Sequence, residues 1–284
     1  MTTRASVRPT VLPVPPTSSA TRVAEPPVRF RDLLAAEWIK TRSLRSTPWT
    51  IILTALSVIG SAAVATLADN AAGFGPAEFR PYDAYPPTGY YTLMLIACVI
   101  GALTVVSEYS SGLIRTTTVA VPARGSVVLA KAAVTAALWT AAGAVISTGC
   151  FLISQAILNG RHAGVPITHP GALRALVVSA LLAPVCALIG LGLGVLLRHG
   201  AATVLTGAFA LLILPPMFSE RDRWSADINH AMVPAAWKRL VQTWEPDPGS
   251  LAHSATVPGS WIVYALWPLT AIALAVLVVR RRDV

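Results

Sequence analysis

The stretch Ser107–Gly125 concentrates the side chains of this sequence that could form strong polar contacts. It reads SEYSSGLIRTTTVAVPARG and carries one carboxylate, a series of hydroxyls and two guanidinium groups. Ionised donors and acceptors of this kind make charge-assisted hydrogen bonds with a partner. A plain connecting loop needs only to be polar, so the density of these groups favours a surface that another protein holds.

Sequence motifs for catalysis or nucleotide binding are absent. The chain has no G-x-x-x-x-G-K-[ST] loop for ATP phosphates, no H-E-x-x-H pair and no G-x-S-x-G turn. His162 and His169 share a short loop without an acid or a cysteine nearby, which favours solvated histidines over a metal site. The sequence therefore predicts neither an enzyme nor a bound cofactor.

The composition is typical of an integral membrane protein. Of the 284 residues 54% are hydrophobic and 12% are charged, against about 25% charged in soluble domains. The net charge of +9 comes from basic residues that flank apolar runs, which indicates contact with anionic lipid headgroups and not with nucleic acid. The cysteines Cys98, Cys150 and Cys186 lie inside apolar runs and resemble small buried hydrophobic residues.

Six apolar runs predict an all-α polytopic membrane protein with six transmembrane helices, because about 20 helical residues cross a bilayer. They occupy about residues 49–68, 89–106, 127–158, 172–197, 201–218 and 261–279. The fifth run is marginal because Pro215 and Pro216 interrupt it. Residues 29–284 then form one transmembrane domain. Residues 1–28 are predicted to be a disordered cytoplasmic tail. Their apolar run is too short for a secretion signal.

Before the first span, an amphipathic helix is predicted in the headgroup region. Its apolar stripe contains Phe30, Leu33, Leu34, Ala35, Trp38 and Ile39. The charged residues Arg31, Glu37, Lys40 and Arg42 are expected off that stripe. The alternative is a polar extension of the first span.

The basic residues predict the orientation, because cytoplasmic flanks are enriched in Lys and Arg. One set of flanks comprises the N-terminal region, the connection between spans two and three, Arg198 and the C-terminus, and it holds 15 of the 22 basic residues. The opposite set holds the other 7 together with eight acids. Both termini are therefore expected in the cytoplasm.

The interiors of the spans lack ionisable residues near their centres. Proton- or ion-coupled transporters usually carry such residues there, so this absence argues against a secondary transporter. Gly190 and Gly194 share a face of the fourth span and predict a helix-packing surface, within the protomer or between two protomers. A conformational hinge is the alternative role.

Two interpretations fit the connection between spans two and three. Glu108–Val121 can form a short coupling helix parallel to the membrane, after a turn at Ser110-Ser111-Gly112, with Arg115 exposed and Pro122 ending it. A generic loop anchored at the interface fits as well.

Three stretches resemble the membrane subunit of ATP-binding cassette (ABC) transporters. LLAAEWIKTRSLRSTPW, SEYSSGLIRTT and VPARGSVVLAKA are similar to the type-2 permease family, in particular to its actinobacterial members. The departures from that pattern are mild, at Ser107, Leu113 and Ser126. Beyond about residue 160 the similarity is one of hydropathy only.

The resemblance implies a permease in the plasma membrane, working as an exporter. Two permease subunits, identical or different, would pair and be driven by a separate ATPase chain. The residues implied to contact that ATPase are Glu108, Tyr109, Ser110, Gly112, Arg115, Thr116, Glu37, Lys40 and Arg42. A span interior without fixed charge favours an apolar or amphipathic cargo. The alternative from another class is a membrane scaffold or an accessory or immunity protein that transports nothing.

Overall fold

Helices account for all of the regular structure in the described part of the chain. The computed structural model describes residues 29–43, 46–71, 80–111, 124–243 and 253–281, with no strand among them. The α-helices are α1 Phe30–Ser43, α2 Ser46–Ala71, α3 Pro81–Ala84, α4 Pro87–Ser111, α5 Arg124–Asn159, α6 Ala172–Leu197, α7 Gly200–Ala208, α8 Arg223–His230, α9 Val233–Val241 and α10 Val257–Arg281.

Five of these helices, α2, α4, α5, α6 and α10, are long and apolar enough to cross a membrane. The chain is thus an all-α multi-pass membrane protein, as the apolar runs predicted. The bounds of α6 match the predicted span, whereas the other four helices extend beyond theirs because flanking polar residues stay helical. With 36 residues, α5 is about 54 Å long and exceeds the roughly 30 Å of a hydrocarbon core.

The fifth apolar run forms a shorter and less regular helical segment. After α7 the chain winds as a π-helix over Phe209–Ile213 and as a 3₁₀ turn over Pro215–Met217. Neither Pro215 nor Pro216 has an N–H group, so the α-helical hydrogen bonds cannot continue through them. The apolar helix Gly200–Ile213 is shorter than the roughly 20 residues of a usual crossing, and the count of six spans stays a prediction.

Helix α6 occupies the centre of the bundle. In the most apolar stretch of α6, 72% of the residues are buried. In the corresponding stretch of α10, which lies at the periphery, 17% are buried. Gly190 and Gly194 face α4 of the same chain, where a Cβ atom on Gly190 would overlap the carbonyl group of Cys98. Gly101 of α4 meets the backbone of α6 in the same way, at Ala187. The small residues therefore let the two backbones touch.

Two ends of the bundle can be distinguished from the helix contacts. At the α1 end lie α1, the end of α4, the start of α5 and the C-terminal turn of α10, where the Arg280 side chain packs against Gly125. At the opposite end, called the α9 end, lie α3, α8, α9 and the start of α10. The segment from Gly200 runs beside α4, since Gly200 lies near Val106 and Gly207 near Cys98.

Helix α1 presents its apolar side chains away from the protein. Trp38 is 45% exposed and Ile39 is 66% exposed, as expected for a helix that lies against lipid. Glu37, which was expected off the apolar stripe, is buried. Its carboxylate pairs with Lys131 of α5 and with Lys40 of its own helix.

Helix α9 brings an aromatic side chain into the core. Trp237 is fully buried, stacks on Tyr90 with ring centroids 5.1 Å apart, and donates from its indole N–H to the Ser179 hydroxyl at 3.3 Å. Helix α9 lies within the stretch MVPAAWKRLVQTW, and Trp237 anchors it to the bundle.

Candidate functional site

Four ionised side chains meet at the α1 end and form what we call the charge cluster: Glu37, Lys40, Glu108 and Lys131. The Lys131 ammonium lies 2.7 Å from Glu37 Oε2 and 2.9 Å from Glu108 Oε1. Lys40 lies 2.7 Å from the same Glu108 oxygen and 3.1 Å from Glu37 Oε1. Each lysine therefore contacts both carboxylates.

Three helices supply the charge cluster. Glu37 and Lys40 lie one turn apart on α1, Glu108 lies in the last turn of α4, and Lys131 lies near the start of α5. Glu37, Glu108 and Lys131 are buried, with exposed fractions of 6 to 8%. A buried ion without a partner is costly by several kcal/mol, so the pairing ties the otherwise peripheral α1 to α4 and α5.

The charge balance of the cluster keeps Lys40 protonated. Partial burial of the ammonium acts to lower the pKa of Lys40, but its hydrogen bonds and charge interactions with Glu108 and Glu37 outweigh that effect. The pKa of Lys40 is therefore raised above its ordinary value. At neutral pH two ammonium groups face two carboxylates.

A second contact at the α1 end joins α4 to α6. The guanidinium carbon of Arg198 lies 5.0 Å from the centroid of the Tyr109 ring, in a cation–π contact. Arg198 has a left-handed backbone with φ of 55° and ends α6, its N–H donating to the Gly194 carbonyl. Tyr109 follows Glu108 directly, so two adjacent residues of α4 connect it to three other helices.

The structure places the residues implied to contact an ATPase in three groups. Glu37, Lys40 and Glu108 lie in the charge cluster. Arg42 and Ser110 are exposed, whereas Tyr109 is half-buried under Arg198. Gly112, Arg115 and Thr116 lie outside the described residues, as does most of the predicted coupling helix.

The beginning of the predicted coupling helix needs correction. Glu108–Ser111 continue α4 as its last turn and do not begin a separate element. The Ser110 and Ser111 hydroxyls donate to the Ser107 carbonyl within that turn, which satisfies an acceptor at the helix end. Ser110 and Ser111, where a turn was expected, are therefore helical.

Lys131 is the functional residue that sequence reasoning missed. It is the single charged side chain between Gly125 and Asn159 in a long apolar helix. An isolated charge in such a helix is expected to face the bundle and to pair with an opposite charge. That signal could have identified Lys131, although the sequence does not reveal which acids pair with it.

The charge cluster links three helices through ion pairs. No group of three or more metal-ligating side chains occurs among the described residues. Both carboxylates accept from two ammonium groups, which leaves no free acid or base for proton transfer to a substrate. The cluster can therefore hold α1, α4 and α5 in one arrangement or release them when its contacts break.

The α9 end contains a cavity of about 460 Å³. Its polar lining includes Tyr82, Tyr91, Glu220, Lys238 and Arg239, and its apolar lining includes Leu211, Leu212, Pro215, Pro216 and Phe218. The Tyr82 hydroxyl donates to the Lys238 carbonyl at 2.9 Å, and burial raises the pKa of Tyr82 to about 12. We call this space the α9-end cavity.

Comparison with known proteins adds no relative. No protein-family model matches the chain, and no curated protein matches its sequence significantly. The charge cluster, the α9-end cavity and the three stretches that resemble type-2 permeases are therefore the features that bear on function.

Proposed function

We propose that this chain is the membrane-spanning permease subunit of an ABC transporter, an exporter driven by a separate ATPase chain. The observation that carries the proposal is the charge cluster, which joins α1 to both helices that flank residues 112–123. In the resemblance to type-2 permeases, this connection and the N-terminal helix are the parts that meet the ATPase.

The charge cluster suits the transmission of force from such a partner. Residues 112–123 connect Glu108 at the end of α4 to the start of α5, where Lys131 lies. A partner that pushes this connection moves α4 and α5, and the contacts of Glu37 and Lys40 make α1 move with them. A rearrangement at the membrane surface thus reaches the two helices that pack on the central α6.

The proposed partner contacts divide by exposure. Arg42 and Ser110 are exposed and available to another chain. The proposed partner surface therefore includes them, together with Gly112, Arg115 and Thr116. The carboxylates of Glu37 and Glu108 are already paired within the chain, and their proposed role is to hold the helices that the partner moves.

The proposal includes six crossings with both termini in the cytoplasm. Residues from Gly200 begin beside Val106 at the α1 end, and Pro215 lines the α9-end cavity. This segment, which connects α6 to α8, can therefore cross the membrane despite its irregular turns. Two subunits would pair through peripheral helices such as α2 and α10, few of whose residues are buried.

Purification with the separately encoded ATPase tests the proposal. The full chain is expected to retain the ATPase through membrane extraction and to change its rate of ATP hydrolysis. Arg115→Glu should weaken this capture while the protein remains in the membrane. Arg221→Glu is the matched control, since Arg221 is exposed beyond the α9-end cavity and far from α1. A stable chain that never retains an ATPase would instead support a scaffold protein.

A further inference from the structure

The α9-end cavity carries an excess of positive charge. Lys238 and Arg239 are adjacent on α9 and line the cavity, whereas Glu220 is its single carboxylate among the described residues. The Arg239 Nε donates to the Ala255 carbonyl at 2.7 Å. Within the described part of the chain, the Lys238 ammonium has no hydrogen bond or ion pair and contacts only the Tyr91 ring, 5.6 Å from its centroid.

The backbone of Lys238 is held in place, and its ammonium forms no ion pair among the described residues. Its backbone carbonyl accepts from the Tyr82 hydroxyl, and its ammonium lies over Tyr91. Next to α9, the Arg174 guanidinium donates to the carbonyls of Leu240 and Gln242 and adds a further positive charge. An ammonium without an ion pair, close to further positive charge, is a binding group for an anion.

The opposite wall of the cavity is apolar. It consists of residues from the π-helical and 3₁₀ turns, including Leu212 and Pro216. On the same segment, Ile213 is 53% exposed and Met217 is 69% exposed, so the apolar wall continues onto the outer surface of the bundle. Asn229 holds this wall in place, because its side-chain amide donates to the carbonyls of Pro215 and Phe218.

The combination of these walls specifies a class of ligand. We propose that the α9-end cavity binds an anionic amphiphile, whose negative headgroup contacts Lys238 and Arg239 and whose apolar chain lies along the wall at Leu212 and Pro216. A volume of about 460 Å³ is in the usual range for small-molecule sites and accommodates a headgroup with the first part of a chain. This binding requires no ATPase, so it is separate from the proposed function.

Thermal unfolding of the purified full chain in an uncharged detergent tests the inference. The probe is a short-chain phosphatidylglycerol, compared with phosphatidylcholine of the same chain length and with glycerol 3-phosphate. A ligand that binds the folded state raises the unfolding temperature in a concentration-dependent manner. We expect phosphatidylglycerol to produce this rise, phosphatidylcholine a much smaller one, and glycerol 3-phosphate none.

Variants of Lys238 locate the binding site. Lys238→Gln should raise the apparent Kd for phosphatidylglycerol about tenfold, the effect of losing one charge-assisted contact, and Lys238→Arg should restore binding. Lys238→Gln should fold normally, because the ammonium is exposed and forms no hydrogen bond among the described residues. Arg221→Gln removes the same charge from a neighbouring exposed position outside the cavity and should leave the apparent Kd unchanged.

Several results would overturn the inference. Equal shifts with phosphatidylcholine would exclude recognition of the negative charge. An equal shift with glycerol 3-phosphate would show that the apolar chain contributes nothing and that the site takes a soluble anion. An unchanged apparent Kd in Lys238→Gln would place the binding elsewhere on the protein.

Discussion

At the residue scale, the charge cluster shows how four side chains substitute for apolar packing between helices. Lys131 is 6% exposed and contacts both Glu37 and Glu108, so each carboxylate is neutralised where water cannot solvate it. Buried ion pairs add little net stability, but removal of one partner leaves the other charge uncompensated. The consequences of single substitutions should therefore be large and strongly dependent on one another.

Lys131→Met should destabilise the protein by about 3 kcal/mol, because two buried carboxylates are then left with Lys40 alone. Equilibrium unfolding in detergent measures this change in the free energy of unfolding. Combining Lys131→Met with Glu37→Gln should cost less than the sum of the single variants, since the pair is removed together.

Arg42→Gln is the matched control for Lys131→Met. Arg42 is an exposed cation that lies, like the charge cluster, at the α1 end, and it does not contact the four residues of the cluster. Its loss should change the free energy of unfolding by no more than about 0.5 kcal/mol. An equally small change in the free energy of unfolding for Lys131→Met would contradict the conclusion that the charge cluster attaches α1 to the bundle.

The raised pKa of Lys40 predicts a loss of stability at high pH. The folded state binds this proton more tightly than the unfolded chain, so the contribution is complete below the ordinary pKa of 10.5 and disappears as the pH rises through the higher folded value. The difference in unfolding midpoint between the native chain and Lys40→Met should be constant to about pH 10 and shrink above it. The corresponding difference for Arg42→Met should stay flat over this range.

The sequence singled out Glu108 as a contact residue but did not indicate its partners within the chain. Its position beside a span and the resemblance to permeases indicated a contact with another chain, whereas the structure pairs it with Lys40 and Lys131. Glu37 follows Leu33 and Leu34 by four and three residues, so it lies on the same side of α1 as these half-buried leucines, and that side is the docked one. Pairing between residues up to 94 positions apart depends on the tertiary arrangement, which local patterns do not contain.

At the scale of elements, the contact of α4 with α6 depends on glycines from both helices. Gly190 meets Cys98, and Gly101 meets Ala187, in each case with the opposing backbone where a Cβ atom would lie. Such contacts gain van der Waals attraction along the whole interface. The same close packing brings Gly143 of α5 against Ala180 on α6.

Gly190→Ala should lower the free energy of unfolding by about 2 kcal/mol, because the added methyl group forces two backbones apart. Gly194→Ala should cost less, since the nearest backbone atom, the Ala102 oxygen, would lie 3.0 Å from its Cβ. Gly60→Ala on α2 is the control, with nothing within 4 Å of the added atom. Equal stability of the Gly190 and Gly60 variants would contradict the close contact.

Hydropathy located the spans, because a bilayer-length apolar run leaves few alternatives. It also identified Gly190 and Gly194 as a shared face. It did not identify Gly101 or Gly143, which lie singly in apolar sequence and acquire their role from the helix opposite. The prolines indicated an interruption after residue 214, but the π-helical winding before them depends on packing that the sequence does not display.

At the scale of the whole molecule, the helix arrangement places the N-terminal helix α1 and the last turn of α10 at the same end of the bundle. α1 docks on the start of α5, and the last turn of α10 packs there through Arg280. If the proposed six crossings hold, the α1 end would face one side of the membrane and the α9 end the other. The three native cysteines are buried, which makes single introduced cysteines selective reporters of that topology.

Cysteine labelling in intact cells tests this arrangement. Arg42→Cys and Arg281→Cys should react with a membrane-impermeant maleimide only after permeabilisation, because both positions are exposed at the α1 end. Arg221→Cys, exposed at the α9 end, should react from outside without permeabilisation. Labelling of Arg221→Cys and Arg42→Cys from the same side would contradict six crossings.

The charge cluster also determines how α1 responds to its lipid surroundings. Two carboxylates and two ammonium groups sum to zero, so the surface potential of an anionic leaflet exerts no net pull on the cluster as a whole. Added salt screens exposed charges such as Arg42 much more than the buried Glu37, Glu108 and Lys131. Attachment of the N-terminal helix to the bundle should therefore be the same at neutral pH in membranes of different headgroup composition.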